Sequence, residues 1–380
     1  MKRCVLAALI VALVLPLYAD GNGFGFNLGL GSDLLPDPDN PGVSSSWFKL
    51  GARPELAIGK FAIGLDFTIR FQIDLDGDPQ YVRIYEPDWI PRDGKTIFDL
   101  YLPKIMYVRY GYRGEDPFYI KLGSISDFML GNGLIVDNYA NTRFLPTQRL
   151  FGLEAGLDGE LFGFPLVGFE VMAANLARLD VVGGRVYVRP LAVFGPSLFG
   201  RIQIGATAVF DNDPLLYVAD PTPYEPASKV HVYGADVTFP VLRGGLLSLT
   251  AFAEGAEEMN GARGLATGVR GALLRFIRYG AQIRWFQQGF IPSYFDTNYD
   301  LYRAERFKFV RDTAPGTEYV KSWLASLGFD LFAENLSFRA TVDGPFSPIP
   351  ATPSDDQTLY PHVRGRLIMK EGIIPHLRIT

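Results

Sequence analysis

Apolar and polar residues alternate strictly along the segment from Phe61 to Asp74. Because successive side chains of a β-strand point to opposite faces, this alternation gives one wholly apolar face and one face of small and polar side chains. The apolar positions are Phe61, Ile63, Leu65, Phe67, Ile69, Phe71 and Ile73, and the others are Ala62, Gly64, Asp66, Thr68, Arg70, Gln72 and Asp74. Strands usually have about five or six residues, so the pattern predicts one unusually long strand.

The same alternation recurs along the chain, whereas the periodicity of amphipathic helices is almost lacking. The other clear segments are 24–31, 201–210, 279–285, 323–331 and 336–343. Glycine is common on the less apolar face, where bends and close approach of the backbone are tolerated. About 17 strands are predicted by this period-two pattern, the first beginning at Phe24 and the last a stub from Ile373.

Links of two kinds join the predicted strands, and they alternate along most of the chain. Long links rich in proline and aspartate are expected at 32–46, 75–96, 124–148, 212–228, 288–320 and 344–359. Short links are expected near 59–60, 114–116, 158–159, 195–196, 243–245, 334–335 and 371–372. A membrane β-barrel has tight turns at one rim and longer loops at the other. A soluble two-sheet sandwich has no reason to sort its links, so the pattern favours the barrel.

The amino-acid composition agrees with hydrophobic residues that are distributed along the whole chain and not concentrated in long apolar runs. Of the 380 residues, 14% are aromatic and 20% are charged, and the mean hydropathy is only slightly positive at +0.10. A membrane-spanning helix needs at least about 18 apolar residues, and no uncharged run beyond residue 20 exceeds roughly a dozen. The sequence therefore excludes a helical membrane protein.

The first 19 residues predict a secretory signal peptide. Lys2 and Arg3 precede an apolar stretch at 5–17, and Ala19 offers a small residue for cleavage. The alternative is an uncleaved membrane anchor, for which the stretch is short. Cys4 is the only cysteine and precedes the apolar stretch, so the mature chain has neither a lipid-modified cysteine nor a disulfide. Loss of Lys2 and Arg3 leaves 34 basic against 41 acidic residues, a formal charge of −7, which favours no nucleic-acid partner.

With its signal peptide, alternation and link pattern, the mature chain resembles the bacterial outer-membrane β-barrels, in particular porin-like channels. The resemblance covers nearly all of residues 20–380 and concerns architecture, since no motif indicates a subfamily. It implies an all-β fold, a single transmembrane antiparallel up-and-down β-barrel of about 16–18 strands with short periplasmic turns and long external loops. It also implies location in the outer membrane, with membrane lipid and small solutes as partners and the oligomeric state left open.

The C-terminus departs from this pattern. Such barrels typically end in an aromatic residue that closes the last strand, whereas this sequence ends at Arg378-Ile379-Thr380. The odd strand count points the same way, because a barrel of this kind has an even number. Either the count is wrong by one or the final strand is missing, and the sequence slightly favours the missing strand.

Motifs for chemistry are scarce. The sequence has no G-x-S-x-G, no H-E-x-x-H and no P-loop. His231, His362 and His376 lie far apart, which argues against a zinc site. Asp74, Asp76 and Asp78 have the spacing of calcium ligands, but the glycine and glutamate that should follow are absent, so a solvated acidic loop is favoured. We therefore expect no enzyme activity, no cofactor and no metal.

Nine charged residues stand on the less apolar faces of the predicted strands. If the apolar face meets lipid, these residues line the lumen, because a charge at the bilayer midplane costs about 2–4 kcal/mol. The alternative is that some of them lie in the headgroup zone or beyond the membrane. Six are arginines, which predicts a locally cationic wall that favours anions. The candidate pore-lining residues are Asp66, Arg70, Glu154, Glu170, Arg201, Arg284, Arg339, Arg364 and Arg366.

The link at 124–148 is unusually apolar for a loop in water. It is expected either to fold inward and narrow the pore or to form one more short hairpin, and the sequence favours neither. The leading functional hypothesis is passive diffusion of small hydrophilic solutes through a water-filled lumen. The alternatives are a transporter of hydrophobic compounds with a plugged lumen, and a structural or adhesive surface barrel.

Overall fold

The computed structural model describes residues 24–25, 28–40, 42–52, 54–74, 81–91, 94, 96–145, 148–194, 198–224, 226, 228–331, 336–347 and 361–369. The signal peptide, Asp76, Asp78, His376 and the C-terminal residues lie outside the described residues. The chain divides into two compact units between Tyr110 and Gly111.

The first unit contains two antiparallel sheets. Its strands are β1 (Phe24–Gly25), β2 (Leu28–Pro36), β3 (Ser44–Ala52), β4 (Glu55–Ile58), β5 (Phe61–Leu65), β6 (Phe67–Asp74), β7 (Tyr81–Ile84) and β8 (Ile105–Tyr110). One sheet has the order β1-β4-β5-β8 and the other the order β2-β3-β6-β7. A short helix, α1 (Ile97–Tyr101), begins at a capping box in which Thr96 and Asp99 satisfy each other's backbone amides.

The prediction of one strand from Phe61 to Asp74 is wrong, because the segment divides between the two sheets at Asp66. β5 pairs with β4 and β8, whereas β6 pairs with β3 and β7. The backbone amide of Asp66 donates to the carbonyl of Lys104, and its carboxylate accepts a hydrogen bond of 2.7 Å from the Thr68 hydroxyl. These bonds take Asp66 out of both ladders, which its place in an unbroken alternation did not indicate.

The second unit contains a twelve-stranded antiparallel sheet in which each strand pairs with its neighbours along the chain. These strands are β9 (Phe118–Gly123), β12 (Gly152–Asp158), β13 (Val167–Ala173), β14 (Val181–Val188), β15 (Gln203–Asp211), β16 (Val230–Arg243), β17 (Leu247–Glu258), β18 (Arg263–Leu273), β19 (Ile277–Gln287), β21 (Tyr319–Leu331), β22 (Leu336–Pro345) and β23 (His362–Met369). Inserted between them are β10 (Phe128–Leu130), β11 (Val136–Tyr139), β20 (Phe295–Asp296) and a 14-residue helix, α2 (Tyr299–Asp312).

One face of the twelve-stranded sheet is apolar and exposed, and we call it the outer face. Val186 is 59% exposed, Leu327 61% and Val363 69%, although each belongs to a paired strand. The opposite, inner face packs against the inserted strands and α2. In β15 the exposed residues Ile204, Ala206 and Phe210 alternate with buried ones, as the sequence predicted. An apolar face left uncovered along paired strands requires an apolar solvent outside the sheet.

The longest links of the second unit lie at one rim, although each rim has links of both kinds. At one rim, here called the long-link rim, residues 124–151, 174–180, 212–229, 259–262, 288–318 and 346–361 join the strands. At the other rim two links are tight turns, at 244–246 and 274–276, and two are longer, at 159–166 and 189–202. The link between β21 and β22 lies outside the described residues. The predicted fold class, a transmembrane antiparallel up-and-down β-barrel with short turns at one rim, is confirmed in this meander. The total strand number of about 16–18 stays a prediction.

Among the described residues, no helix is both long and apolar enough to span a membrane.

Candidate pore-lining site

The link predicted at 124–148 forms a short hairpin that folds onto the inner face and lies outside the twelve-stranded sheet. That it narrows a pore stays a prediction. β10 and β11 pair with each other, and β11 also pairs with β20. At the tip, the backbone amides of Asn132 and Leu134 donate to one carboxylate oxygen of Glu254 on β17, over 3.0 and 3.1 Å. The Asn132 side chain also donates to the Thr238 hydroxyl on β16 over 3.1 Å. These hydrogen bonds attach the hairpin to two strands of the wall.

Glycine is required at the hairpin tip. Gly131 has a φ of +60° and Gly133 a φ of +95°, a region that favours glycine. A Cβ atom on Gly131 would also lie 2.7 Å from a carboxylate oxygen of Glu254. The tight turn and the close approach to Glu254 therefore both require that Gly131 has no side chain.

Helix α2 is attached to the same inner face by a buried ionic cluster. Arg303 is 2% exposed and donates to Asp211 of β15, with Nε 2.5 Å from Oδ2, and to Asp180 over 2.8 Å. The Tyr299 hydroxyl donates to the same Asp211 carboxylate over 2.6 Å. Although burial alone would lower the pKa of Arg303, its hydrogen bonds to Asp211 raise that pKa above its usual range. Arg303 is therefore a permanent cation between two carboxylates.

An apolar core fills the space between the hairpin, α2 and the wall. Phe128, Leu130, Phe295 and Phe307 are each fully buried in one cluster, which includes Val209 and Val232 from β15 and β16. Burying an aromatic or aliphatic side chain is worth about 1.5–3 kcal/mol. The inserted elements therefore cover this part of the inner face as a packed layer.

Beyond the hairpin, arginines cluster on the inner face of four strands. Their positions are Arg270 on β18, Arg278 and Arg284 on β19, Arg339 on β22 and Arg364 on β23. Arg270, Arg278, Arg284 and Arg339 border a polar cavity of about 400 Å³, to which the hairpin contributes Asn132 and Asp137. Burial raises the pKa of Asp137, against the opposing effect of the nearby arginine charges, chiefly that of Arg284. We call these five arginines the arginine cluster.

Only part of the arginine cluster is neutralised. Arg278 Nε lies 2.6 Å from Asp330 and Arg364 Nη2 lies 2.9 Å from Asp343. Among the described residues, no carboxylate forms an ion pair with Arg270, Arg284 or Arg339. The Arg284 guanidinium instead donates to the Gln282 amide oxygen over 2.8 Å. Unpaired guanidinium groups beside a polar cavity suit an anionic solute.

Acidic residues predominate on the inner face of the earlier strands. Glu154 of β12 is 4% exposed and lies 3.3 Å from the Lys121 ammonium. Glu170 of β13 lies 3.5 Å from Arg185, which also forms a two-bond ion pair with Asp236 over 2.8 and 2.7 Å. Together with Glu254, these carboxylates outnumber the cations beside them. Acidic and basic charges are therefore segregated between the two halves of the inner face.

Five of the nine predicted pore-lining residues lie on this inner face. Glu154, Glu170, Arg284, Arg339 and Arg364 share it by strand register. Arg366 stands opposite Arg339 in the ladder, and its side chain lies outside the described residues. That these residues line a conducting lumen stays a prediction.

The remaining three predicted residues are placed differently. The placement of Arg201 on a strand face is wrong, because it ends the 3₁₀ turn Phe199–Arg201 and β15 begins only at Gln203. Proline and glycine near residue 196 mark that turn in the sequence. Asp66 and Arg70 belong to the first unit, where Arg70 donates to Asp33 over 2.8 Å and to Asp88 over 2.7 Å.

Sequence reasoning missed Arg270, Arg278, Arg185, Asp236 and Glu254. The sequence did contain a signal for Arg278, because it lies at an alternate position on the same polar strand face as Gln282 and Arg284. Arg270 shares a strand face with Gly264, Ala266 and Gly268, and these small residues do not distinguish a polar face from an apolar one. In the described part of the chain, no group of three or more histidine, cysteine, aspartate or glutamate side chains is arranged to hold a metal ion.

The second unit is thus an antiparallel up-and-down meander with an apolar outer face and a charged inner face. No family model matches the sequence, and no curated protein does. Several solved structures are similar in fold at low identity. OprB of Pseudomonas putida shares 10% identity over 85% of this chain and 88% of its own, with a TM-score of 0.38. Wzi of Escherichia coli, a carbohydrate-binding β-barrel involved in capsule assembly, shares 9% over 90% and 84%, with a TM-score of 0.35.

A third similar structure is the outer-membrane channel DcaP of Acinetobacter baumannii. It shares 10% identity over 86% of this chain and 92% of its own, with a TM-score of 0.31. All three are distant likenesses of fold.

Proposed function

We propose that this protein is an outer-membrane channel for the passive diffusion of small hydrophilic solutes, with a preference for anions. The observation that carries the proposal is the arginine cluster beside the 400 Å³ cavity, where three of five guanidinium groups have no carboxylate partner among the described residues. The exposed apolar outer face supports location in a bilayer, and the predicted signal peptide supports export. Selectivity would come from the width left by the hairpin and from the charges beside it.

Segregation of charge gives a mechanism for the anion preference. An anion close to Arg284 or Arg339 gains charge-assisted hydrogen bonds while the acidic strands repel it from the opposite half. Screening limits each charge to about 8–10 Å at physiological salt, so the effect requires a narrow path. The hairpin tip, which lies against the wall at Glu254, supplies that narrowing.

Reversal-potential measurements in planar bilayers test the proposal. The double variant Arg284→Gln/Arg339→Gln should lower the anion-to-cation permeability ratio by about two- to fivefold, as expected for loss of charges at partly screened distances. Arg243→Gln, at the exposed end of β16 near a tight turn, is the matched control and should leave the ratio unchanged. An unchanged ratio in the double variant would show that the cluster does not border the conducting path.

The second candidate is a transporter of hydrophobic compounds. Its supporting observation is the packed apolar layer of Phe128, Leu130, Phe295 and Phe307 on the inner face. This candidate predicts no steady conductance but uptake of fatty acids into cells or vesicles that contain the protein. A structural or adhesive barrel would show neither, so the two measurements together separate the three functions.

A further inference from the structure

The outer face carries a trough that crosses five strands near the long-link rim. Two adjacent rows of cross-strand partners form it. The row farther from the rim, in register, is Ala235, Gly255, Leu265, Trp285 and Lys321. The row nearer the rim is Tyr233, Glu257, Arg263, Gln287 and Tyr319, in which the Arg263 amide donates to the Gln287 side chain. The open space enclosed is about 760 Å³ and is lined chiefly by apolar groups, a size within the range of small-ligand clefts.

The floor of the trough exists because Gly255 has no side chain. A Cβ atom there would meet only ordinary contacts, at 3.8 Å from the Gly264 carbonyl and from the Leu265 side chain. The glycine is therefore not required by crowding or by an unusual φ. Tyr233 of β16 and Leu265 of β18 stand on the strands to either side of this floor and also line the trough.

The rim of the trough carries cations on a face that is otherwise apolar. Arg263 is paired with Glu257 through Nε alone, at 2.7 Å, and both side chains are about half exposed or more. No other described residue bonds to the Arg263 guanidinium. Lys321 is exposed, and among the described residues its ammonium has no anionic partner. The two cations stand two strand spacings apart, about 10 Å across the strands, and two residues apart, about 7 Å along them.

We propose that this trough binds a phosphate-bearing lipid of the leaflet at the long-link rim, with an acyl chain over Gly255 and the phosphate between Arg263 and Lys321. Tyr233, Trp285 and Tyr319 in the trough indicate that it lies at the level of the membrane interface, because tyrosine and tryptophan are enriched there. A basic residue on the lipid face is tolerated near the interface and attracts anionic lipid there. The proposal rests on bilayer insertion, the setting of the proposed function, but not on conductance or on anion preference.

Quenching of tryptophan fluorescence by brominated lipid tests the proposal in vesicles that contain the full chain. The probes are brominated phosphatidylglycerol and brominated phosphatidylcholine, each at the same mole fraction in phosphatidylcholine. The signal of Trp285 is obtained as the difference between the protein and its Trp285→Phe variant. We expect phosphatidylglycerol to be enriched at Trp285 by about fivefold for each cation.

The variants separate the headgroup contact from the chain contact. Arg263→Gln/Lys321→Gln should abolish the difference between the two lipids, whereas Lys229→Gln, an exposed lysine at the same rim, should keep it. Gly255→Leu should reduce quenching by both lipids, because a side chain then fills the trough. Equal quenching by both lipids in the unaltered protein would overturn the proposal. So would burial of the trough by a second copy, seen as a dimer whose Trp285 neither lipid quenches. Failure to insert into vesicles, seen by flotation, would instead reject the membrane setting itself.

Discussion

At the scale of the residue, the ionic cluster around Arg303 shows how charge is kept inside this protein. Asp180 and Asp211 are 3% and 0% exposed, and each accepts a hydrogen bond from the one guanidinium. Removing one member of such a buried cluster typically costs about 3–5 kcal/mol, because the remaining charges lose their partner. Two carboxylates against one arginine leave an excess negative charge close to the carboxyl group of Asp300 on α2.

The Asp300 side chain is 3% exposed and accepts a hydrogen bond of 3.3 Å from the Tyr139 hydroxyl. Burial raises the pKa of Asp300 to about 7, although the charge of Arg303 opposes the rise. Because this value lies above the ordinary 3.8, the folded state binds the proton more tightly than the unfolded chain. The resulting stability is complete below pH 3.8 and is lost as pH rises through 7.

We predict that attachment of α2 weakens between pH 5 and pH 8 by about 1–4 kcal/mol, the order expected for this pKa difference. Hydrogen exchange at the amides of Phe307 and Val310, corrected for intrinsic rates, measures the change. Asp300→Asn should keep these amides protected at both pH values, because the amide imitates the protonated carboxyl. Asp312→Asn, at the exposed end of α2, should behave like the unaltered protein. The same pH response in Asp300→Asn would assign the titration to another group.

At the scale of the element, one carboxylate oxygen clamps the tip of the inward hairpin. Both of its bonded amides, at Asn132 and Leu134, donate to the same Glu254 oxygen. Hydrogen bonds to a charged group contribute about 1.5–3 kcal/mol each. The hairpin is short and gains only the two-residue strand β20 as a third partner, so its position is set by this clamp, by the bond to Thr238 and by the apolar core beneath it.

We predict that Glu254→Ala raises the exchange rates of the Asn132 and Leu134 amides by about 10- to 150-fold each, because each amide loses one bond worth about 1.5–3 kcal/mol. If the hairpin narrows the pore, current fluctuations in planar bilayers should increase in the same variant. Glu254→Gln is the matched control, since a single amide oxygen can accept both bonds. Unaltered exchange in Glu254→Ala would mean that the apolar core alone holds the hairpin.

At the scale of the whole molecule, the two faces of the twelve-stranded sheet differ in the solvent they require. Ile283 and Leu327 are 45% and 61% exposed on the outer face, whereas Gln282 and Ser326 on the same strands border the polar cavity. A slip of one residue in register would exchange these sets. The described ladders of β18, β19 and β21 are free of such a slip along their length.

We predict that single cysteines at Gln282 and Ser326 react with a water-soluble thiol reagent in membranes, and that cysteines at Ile283 and Leu327 do not. Cys4 is replaced beforehand, so the background contains no cysteine. Detergent-unfolded samples should label equally at all four positions, which controls for reactivity. Strong labelling at Ile283 or Leu327 in membranes would place water at the outer face and reject the barrel.

The sequence by itself determined which residues share a face. Alternation in β15, β19, β21 and β22 is a local property of an extended chain, and a lipid-facing surface tolerates few exceptions. The alternation alone therefore placed Glu154, Glu170, Arg284, Arg339 and Arg364 on the less apolar side of their strands, which is the inner face of the sheet. That this face lines a lumen stays a prediction. The placement of the longest links at one rim follows from the same up-and-down order.

Only the tertiary structure decided where a strand is interrupted and how the inserted hairpin and helix attach to the inner face. The division at Asp66 depends on a hydrogen bond to Lys104, 38 residues away along the chain, and alternation carries no mark of it. Pairing between Arg303 and Asp211, or between Glu254 and the tip at Asn132, joins residues 92 and 122 positions apart. Such contacts form because buried charges and amides must find partners where the folded chain brings them together, and periodicity along the sequence contains no information about that meeting.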